Sequence, residues 1–342
     1  ARVGACSAVQ SWIEAGRGKS SGLRPCALGG AEAGVAAARA LTPGEVVYEV
    51  PRALWLTVGA LNSSAAGRAA LKWAKRASIG PEEAHLELCL LALALLLQRS
   101  AAGRSSWATW IASLPWGEGV AHLPLTWAEE RLEEQLRGAA PQPAVGDKRR
   151  QLAAAYRSLV ASCKDPAALS ELGAACPGPK DLIDAFALVH SRAMDVGPLH
   201  EACPSLAGGR GRMALVPLAD MLNHSPEPNL EWDVQGDRLV GRATDAVPEG
   251  GELFIRYRGA ASPQAFFATY GFVEQGSCTV PAELQPPWLL PQGGRWPAVR
   301  PCSGASVRRL LSRLRVAAAS AEERSRLEAS GLPPEDAARL PL

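Results

Sequence analysis

Two short β-rich runs, each launched by a turn of the same design, stand on either side of a long helical stretch. Thr42-Pro43-Gly44-Glu45 leads into Val46-Val47-Tyr48-Glu49-Val50, and Val247-Pro248-Glu249-Gly250-Gly251-Glu252 leads into Leu253-Phe254-Ile255-Arg256-Tyr257. Proline and glycine at these offsets specify a tight turn, and the β-branched and aromatic residues after it specify a strand. Between the two units, Leu86, Cys89, Leu90, Leu93 and Leu97 recur at i, i+3, i+4 spacing in a segment that is apolar almost all round. Such a helix belongs in the core of a helical unit. The pattern predicts an α+β fold whose β-rich core is assembled from about residues 20–64 and 189–275 and is interrupted by helices. A single continuous parallel α/β sheet is incompatible with it.

Four regions follow from this reading. Residues 1–64 hold an N-terminal helix, marked by Val9, Trp12 and Ile13, and the first part of the β-rich core. Residues 65–188 are the helical insert, with further helices expected over 105–112, 127–136, 149–160 and 180–193. Thr126 and Glu129 read as a capping box, and Pro141-Gln142-Pro143 and Cys176-Pro177-Gly178-Pro179 as separators. Residues 189–275 complete the core, and residues 276–342 form a short helical tail. In that tail Val307, Leu311 and Leu314 share one face while Arg308, Arg309, Arg313 and Arg315 lie elsewhere, a surface expected to dock a protein.

The 342 residues are 47% hydrophobic and 20% charged with a formal charge of +2, so neither a disordered chain nor a polybasic nucleic-acid coat is the leading reading. The eight cysteines fall at 6, 26, 89, 163, 176, 203, 278 and 302 without a C-x-x-C pair or a Cys/His cluster of ligand spacing. No zinc or other metal site is expected, and scattered thiols fit a reduced intracellular protein better than a disulfide frame. The apolar run from Leu88 to Leu97 is too short to cross a membrane, and no signal-peptide pattern opens the sequence. A soluble intracellular monomer is expected, with nothing to distinguish chloroplast, cytoplasm and nucleus.

The informative chemistry is Asp220-Met221-Leu222-Asn223-His224-Ser225-Pro226-Glu227-Pro228-Asn229, followed by Tyr257 and by Tyr270-Gly271-Phe272. Taken singly, the first piece is a turn stiffened by two prolines and the last is core filling. In this order and spacing, N-H-S-x-x-P-N, then G-G-E-L-F-I-x-Y, then Y-G-F resembles the C-terminal half of a SET domain. Gly34-Val35 and Gly44-Glu45 resemble its opening motif, and Trp107-x-x-Trp110-x-x-x-Leu114-Pro115 resembles its inserted helical region. Phe186 through Ser191-Arg192-Ala193 resembles the return from that insert. The combination is similar to the Rubisco large-subunit methyltransferase group.

That resemblance implies a β-rich SET domain split by a helical insert, and an S-adenosyl-L-methionine-dependent protein-lysine methyltransferase acting on a non-histone protein. It implies cofactor contacts from Ala31, Glu32, Ala33, Ser191, Asn223, His224, Tyr257 and Phe272. Tyr257 and Tyr270 are the implied catalytic residues. Arg192 and Asp220, with Tyr270, are implied on the substrate side, where the first two either line the lysine channel or form a structural salt bridge. Three other readings compete: a histidine methyltransferase, a catalytically silent SET-like binding module, and a nucleic-acid reader resting on the arginine-rich tail. Retention of Asn223, His224, Tyr257 and Tyr270 favours lysine methylation, with no direct nucleic-acid partner. One expectation needs no structure: purified protein should carry no stoichiometric zinc by elemental analysis, and a chelator should leave its activity intact. Activity lost to the chelator and restored by zinc would contradict this.

Overall fold

The computed structural model describes residues 2–27, 33–76, 83–136, 141–199, 203, 206, 209–257 and 263–273. The arginine-bearing tail expected over 276–342, and with it the expected docking helix, lies outside the described residues, as do Ala31 and Glu32. In chain order the elements are α1 (Arg2–Ala15), β1 (Leu23–Ala27), β2 (Ala33–Ala37), β3 (Val46–Pro51), α2 (Ala65–Ala74), α3 (Glu83–Ser100), α4 (Ala108–Ile111) and α5 (Glu129–Leu136). There follow α6 (Pro141–Ser162), α7 (Pro166–Ala175), α8 (Pro179–His190), β4 (Met194–Asp195), β5 (Met213–Ala214), β6 (Asn223–His224), β7 (Leu230–Gln235), β8 (Arg238–Ala243), β9 (Phe254–Ile255) and α9 (Pro263–Tyr270). The fold is α+β, with short strands before and after a run of helices. The chain divides into two compact units, residues 1–259 with 268–270, and residues 260–267 with 271–342.

The strands form small sheets. β3, β8 and β7 make a three-stranded antiparallel sheet in that order, β1 pairs with β2, and β4 with β5. β6 and β9 pair in parallel. The two echoed turns are built alike: Glu45 N–H donates to Thr42 O and Gly251 N–H to Pro248 O, with Gly44 at φ 82° and Gly250 at φ 79°. Positive φ at that turn position is the reason both carry glycine. Single bridges then join the turns' flanks, Leu41 to Val247 and Ala36 to Glu252, so chain segments far apart in sequence share one β-rich body.

The helices between them pack as their apolar faces require. From Leu86 to Leu97, α3 is buried on every side, and it packs against α8 and α7. α2 starts at a Ser64 cap, whose Oγ accepts from Gly67 N, and the Glu171 carboxylate of α7 accepts from Ala66 N at 2.9 Å.

Two local expectations are corrected. Thr126 does not cap α5; its hydroxyl donates to Val120 O and Leu123 O, and Trp127 ends a preceding 3-10 turn, so α5 begins only at Glu129. Pro141-Gln142-Pro143 is the first turn of α6 rather than a separator, because prolines in a first helical turn give up no intrahelical bond.

One packing contact dominates the three-stranded sheet. Tyr48, fully buried on β3, lies across Gly241 of β8, opposite Trp232 of β7. A Cβ at Gly241 would stand 2.0 Å from Tyr48 Cε1, whereas one at Gly44 meets nothing within 4 Å. Gly241→Ala is therefore expected to destabilise the protein by about 2–3 kcal/mol through overpacking. Gly44→Ala should cost only about 1 kcal/mol of backbone strain. Thermal melts of both variants test this, and equal losses would contradict it.

Candidate active site

The site grows from β6 and β9. Asn223 stands beside Phe254 and His224 beside Ile255, and Ser225 N–H extends the pairing by donating to Ile255 O at 3.1 Å. Two residues on each strand make a weak ladder, and side-chain amides complete it. Asn229 Nδ2 donates to Glu252 O at 2.9 Å while its Oδ1 accepts from Phe254 N at 2.8 Å, so one amide reproduces a strand's donor and acceptor. Asn223 Nδ2 donates to Glu252 Oε1 at 2.9 Å. His224 Nδ1 accepts from Tyr257 N at 3.2 Å, which places the proton of a neutral ring on Nε2.

This pairing delivers Tyr257 to His224, with ring centroids 5.3 Å apart, and the Tyr270 ring centroid lies 4.9 Å from that of Tyr257. The Tyr257 hydroxyl donates to Leu222 O at 2.7 Å. Burial pushes its pKa up to about 12, with the Tyr270 and Asp220 charges adding and Arg192 opposing, so it stays a neutral phenol at physiological pH. Its proton is committed to a carbonyl, and its lone pairs face outward from that bond.

Arg192 and Asp220 meet, but not as a carboxylate salt bridge: Arg192 Nη1 donates to the main-chain oxygen of Asp220. The Asp220 carboxylate instead accepts from the buried Trp110 Nε1 at 3.3 Å, leaving Oδ1 without a partner, and Arg192 Nε is likewise buried without one. Leu218, two residues before Asp220, holds φ 76° and ψ −49°, a region costly for a branched residue. Ser191 turns inward on its own helix, its hydroxyl donating to Leu188 O at 3.1 Å as α8 ends.

The structure thus brings together Asn223, His224, Tyr257 and Tyr270, and pairs Arg192 with Asp220. Ala33 opens β2, two residues before Val35, whose oxygen accepts from Leu253 N. Phe272 belongs to the second compact unit, where its ring meets Phe266 edge-on at 5.2 Å. Sequence reasoning did not assign Asn229, Glu252 or Trp110 a part in the site. The first closed the N-H-S-x-x-P-N motif, so its position was the available signal.

The SET domain family model matches residues 32–258. The chain belongs to the SET domain family. Human SET domain-containing protein 4 is 25% identical over 271 residues, 78% of this chain and 57% of that protein, so the chain spans little more than half of its curated relative. Among solved structures, the SET domain of LSMT bound to methyllysine and AdoHcy superposes with a TM-score of 0.61 at 21% identity, covering 79% of this chain and 57% of that one. The same domain bound to lysine and AdoHcy gives 0.61 at 18% identity over 98% and 75% of the two chains. Rubisco LSMT bound to sinefungin and monomethyllysine gives 0.60 at 18% identity over 90% and 70%. At these identities the likeness is one of fold. Among the described residues of this SET domain no three metal-ligating side chains converge and no helix is long and apolar enough to cross a membrane.

Asp220 makes the site's electrostatics measurable. Burial, partly offset by Arg192 and the Trp110 N–H, lifts its carboxyl to about 6. An unfolded aspartate titrates near 3.9, so the folded chain keeps a proton that the unfolded chain loses, and stability from this group falls as pH rises from about 4 to about 6. Above that window the buried charge costs roughly 3 kcal/mol relative to acid conditions. Asp220→Asn removes the dependence. Its melting temperature should gain on wild type by about 5 °C between pH 4 and pH 7.5, and a pH-independent difference would show that the carboxyl is not buried as described.

Proposed function

We propose that this chain is an S-adenosyl-L-methionine-dependent protein-lysine N-methyltransferase acting on a non-histone protein. The observation that carries the proposal is the pair of adjoining phenols beside His224, their rings tilted by 41°, with the Tyr257 hydroxyl proton held by Leu222 O. A lysine amine has an ordinary pKa of about 10.4, so roughly one in a thousand is neutral and nucleophilic near neutral pH. A channel walled by these rings disfavours the ammonium form by desolvation. Tyr257, unable to donate elsewhere, accepts an amine N–H, and Tyr270 fixes the other side, so the nitrogen lone pair is aimed along one line. Bound S-adenosyl-L-methionine supplies an activated methyl group for direct in-line displacement. The tyrosines position the amine and act as no strong base.

The residues present fit that cofactor. Arg192 Nε and Asp220 Oδ1 are one buried donor and one buried acceptor without partners, the complement that an amino-acid carboxylate and ammonium require. The pair is proposed to line the substrate side of the cofactor pocket. The backbone of Asn223 and His224 follows Asp220 in the chain, and it is proposed, with Ala31, Glu32, Ala33 and Ser191, to close the rest of the pocket. Solved LSMT structures with lysine or methyllysine and AdoHcy support the same assignment of substrate and cofactor.

Incubation with labelled S-adenosyl-L-methionine and fractionated cell extract, followed by mass spectrometry of the labelled protein, should place the methyl on a lysine. Label on histidine, or binding of cofactor without transfer, would overturn the proposal. Tyr270→Phe keeps the wall and removes one oxygen. If that oxygen contributes about 2–3 kcal/mol to orientation, single-turnover transfer should slow by roughly thirty- to two-hundred-fold with cofactor affinity little changed. An unchanged rate and product would leave Tyr257 as the sole positioning phenol.

A further inference from the structure

Glu87, on α3 of the helical insert, is a carboxylate only 6% exposed that methyl transfer does not use. Its Oε1 accepts two main-chain N–H groups, from Arg212 at 2.6 Å and from Met213 at 2.8 Å. The backbone reaches it because residue 211 is glycine: a Cβ there would stand 2.7 Å from Glu87 Oε1 and 3.2 Å from Leu199 Cδ1. Arg212 does not spend its guanidinium on Glu87 but pairs with Asp195 of β4 at 3.1 Å. Burial raises the Glu87 pKa, Asp195 adding to the rise while the two N–H bonds and Arg212 oppose it. A buried carboxylate is an expensive way to hold a helix against a strand, and two charge-assisted bonds to one oxygen are its return.

What those bonds hold is the root of the site. Met213 opens β5, which pairs with β4, and β4 starts two residues after Arg192. Beyond β5, Leu215 bridges to Leu56, and Val216 O accepts from Asp220 N at 3.0 Å. Arg192 closes the circuit by donating to Asp220 O. Glu87 thus anchors one side of a ring of contacts, closed by the Arg192 guanidinium, whose other side carries Arg192 and Asp220.

We propose that Glu87 is a positioning residue, fixing the β4–β5 hairpin from the helical insert and thereby the Arg192–Asp220 pair. Its catalytic consequence rests on the methyltransferase reading above, while the mechanical link stands apart from turnover. Amide hydrogen exchange on the full chain tests the link in wild type, Glu87→Gln, which keeps an oxygen acceptor, and Glu87→Leu, which removes it. Glu87→Leu should lose about tenfold or more of the protection at Arg212, Met213 and also Asp220, with α2 amides unchanged, and Glu87→Gln should retain it within about threefold. Methyl transfer to a pool of lysine-containing peptides should fall in parallel per folded molecule and be rescued by Glu87→Gln. Loss confined to residues 212 and 213, with Asp220 unaffected, overturns the proposal. A wild type that transfers no methyl group overturns the methyltransferase reading instead, and exchange still decides the link. Should Glu87→Leu fail to fold, Gly211→Ala displaces the carboxylate from the other side, and the same pattern of exchange decides.

Discussion

Everything at the site depends on a parallel pairing of two residues with two. Asn223–His224 and Phe254–Ile255 are joined by the β7–β8 hairpin, and a ladder this short does not hold itself. Side-chain amides make up the difference: Asn229 bonds both sides of the Glu252–Phe254 peptide run, and Asn223 reaches the Glu252 carboxylate. With those bonds in place His224 meets Tyr257, Tyr257 meets Tyr270, and the Tyr257 hydroxyl finds Leu222 O. Remove them and each of these contacts loses its frame.

The costs of the fold gather at the same place. Leu218 holds a left-handed backbone angle, and Asp220 is a buried carboxylate with one oxygen unpartnered. Such terms persist only where the surroundings over-determine them. Here the surroundings are helices: Trp110 of α4 donates to Asp220, and Glu87 of α3 grips the strand that leads to it. The helical insert is the clamp that keeps strained segments in register.

Much of this was legible in the sequence. The echoed Pro-Gly turns identified the two halves of the β-rich core, and the all-round apolar α3 identified the centre of the insert, because both signals are local and periodic. The motif around Asn223 and His224, read with Tyr257 and Tyr270, named residues that the fold brings together. Other features were hidden for a physical reason. Glu87 reads as a polar break within a leucine-rich helix, and its partner Arg212 lies 125 residues away, so no local pattern announces it. Thr126 and Pro141 misled because a capping signature and a proline pair have more than one geometric solution, chosen by packing. That Arg192 bonds a carbonyl while the Asp220 carboxylate faces Trp110, 110 residues away, is a choice of tertiary packing that no local pattern announces.

The central claim is that the amide-braced β6–β9 pairing builds an S-adenosyl-L-methionine site. Calorimetric titration of that cofactor into wild type and Asn229→Ala tests it most directly. Asn229 commits both ends of its amide to the Glu252–Phe254 backbone, two bonds worth about 2 kcal/mol together. The account predicts saturable binding by wild type and an affinity at least about tenfold weaker in a variant that still melts cooperatively. No binding by wild type, or equal affinity in a folded Asn229→Ala, would contradict it.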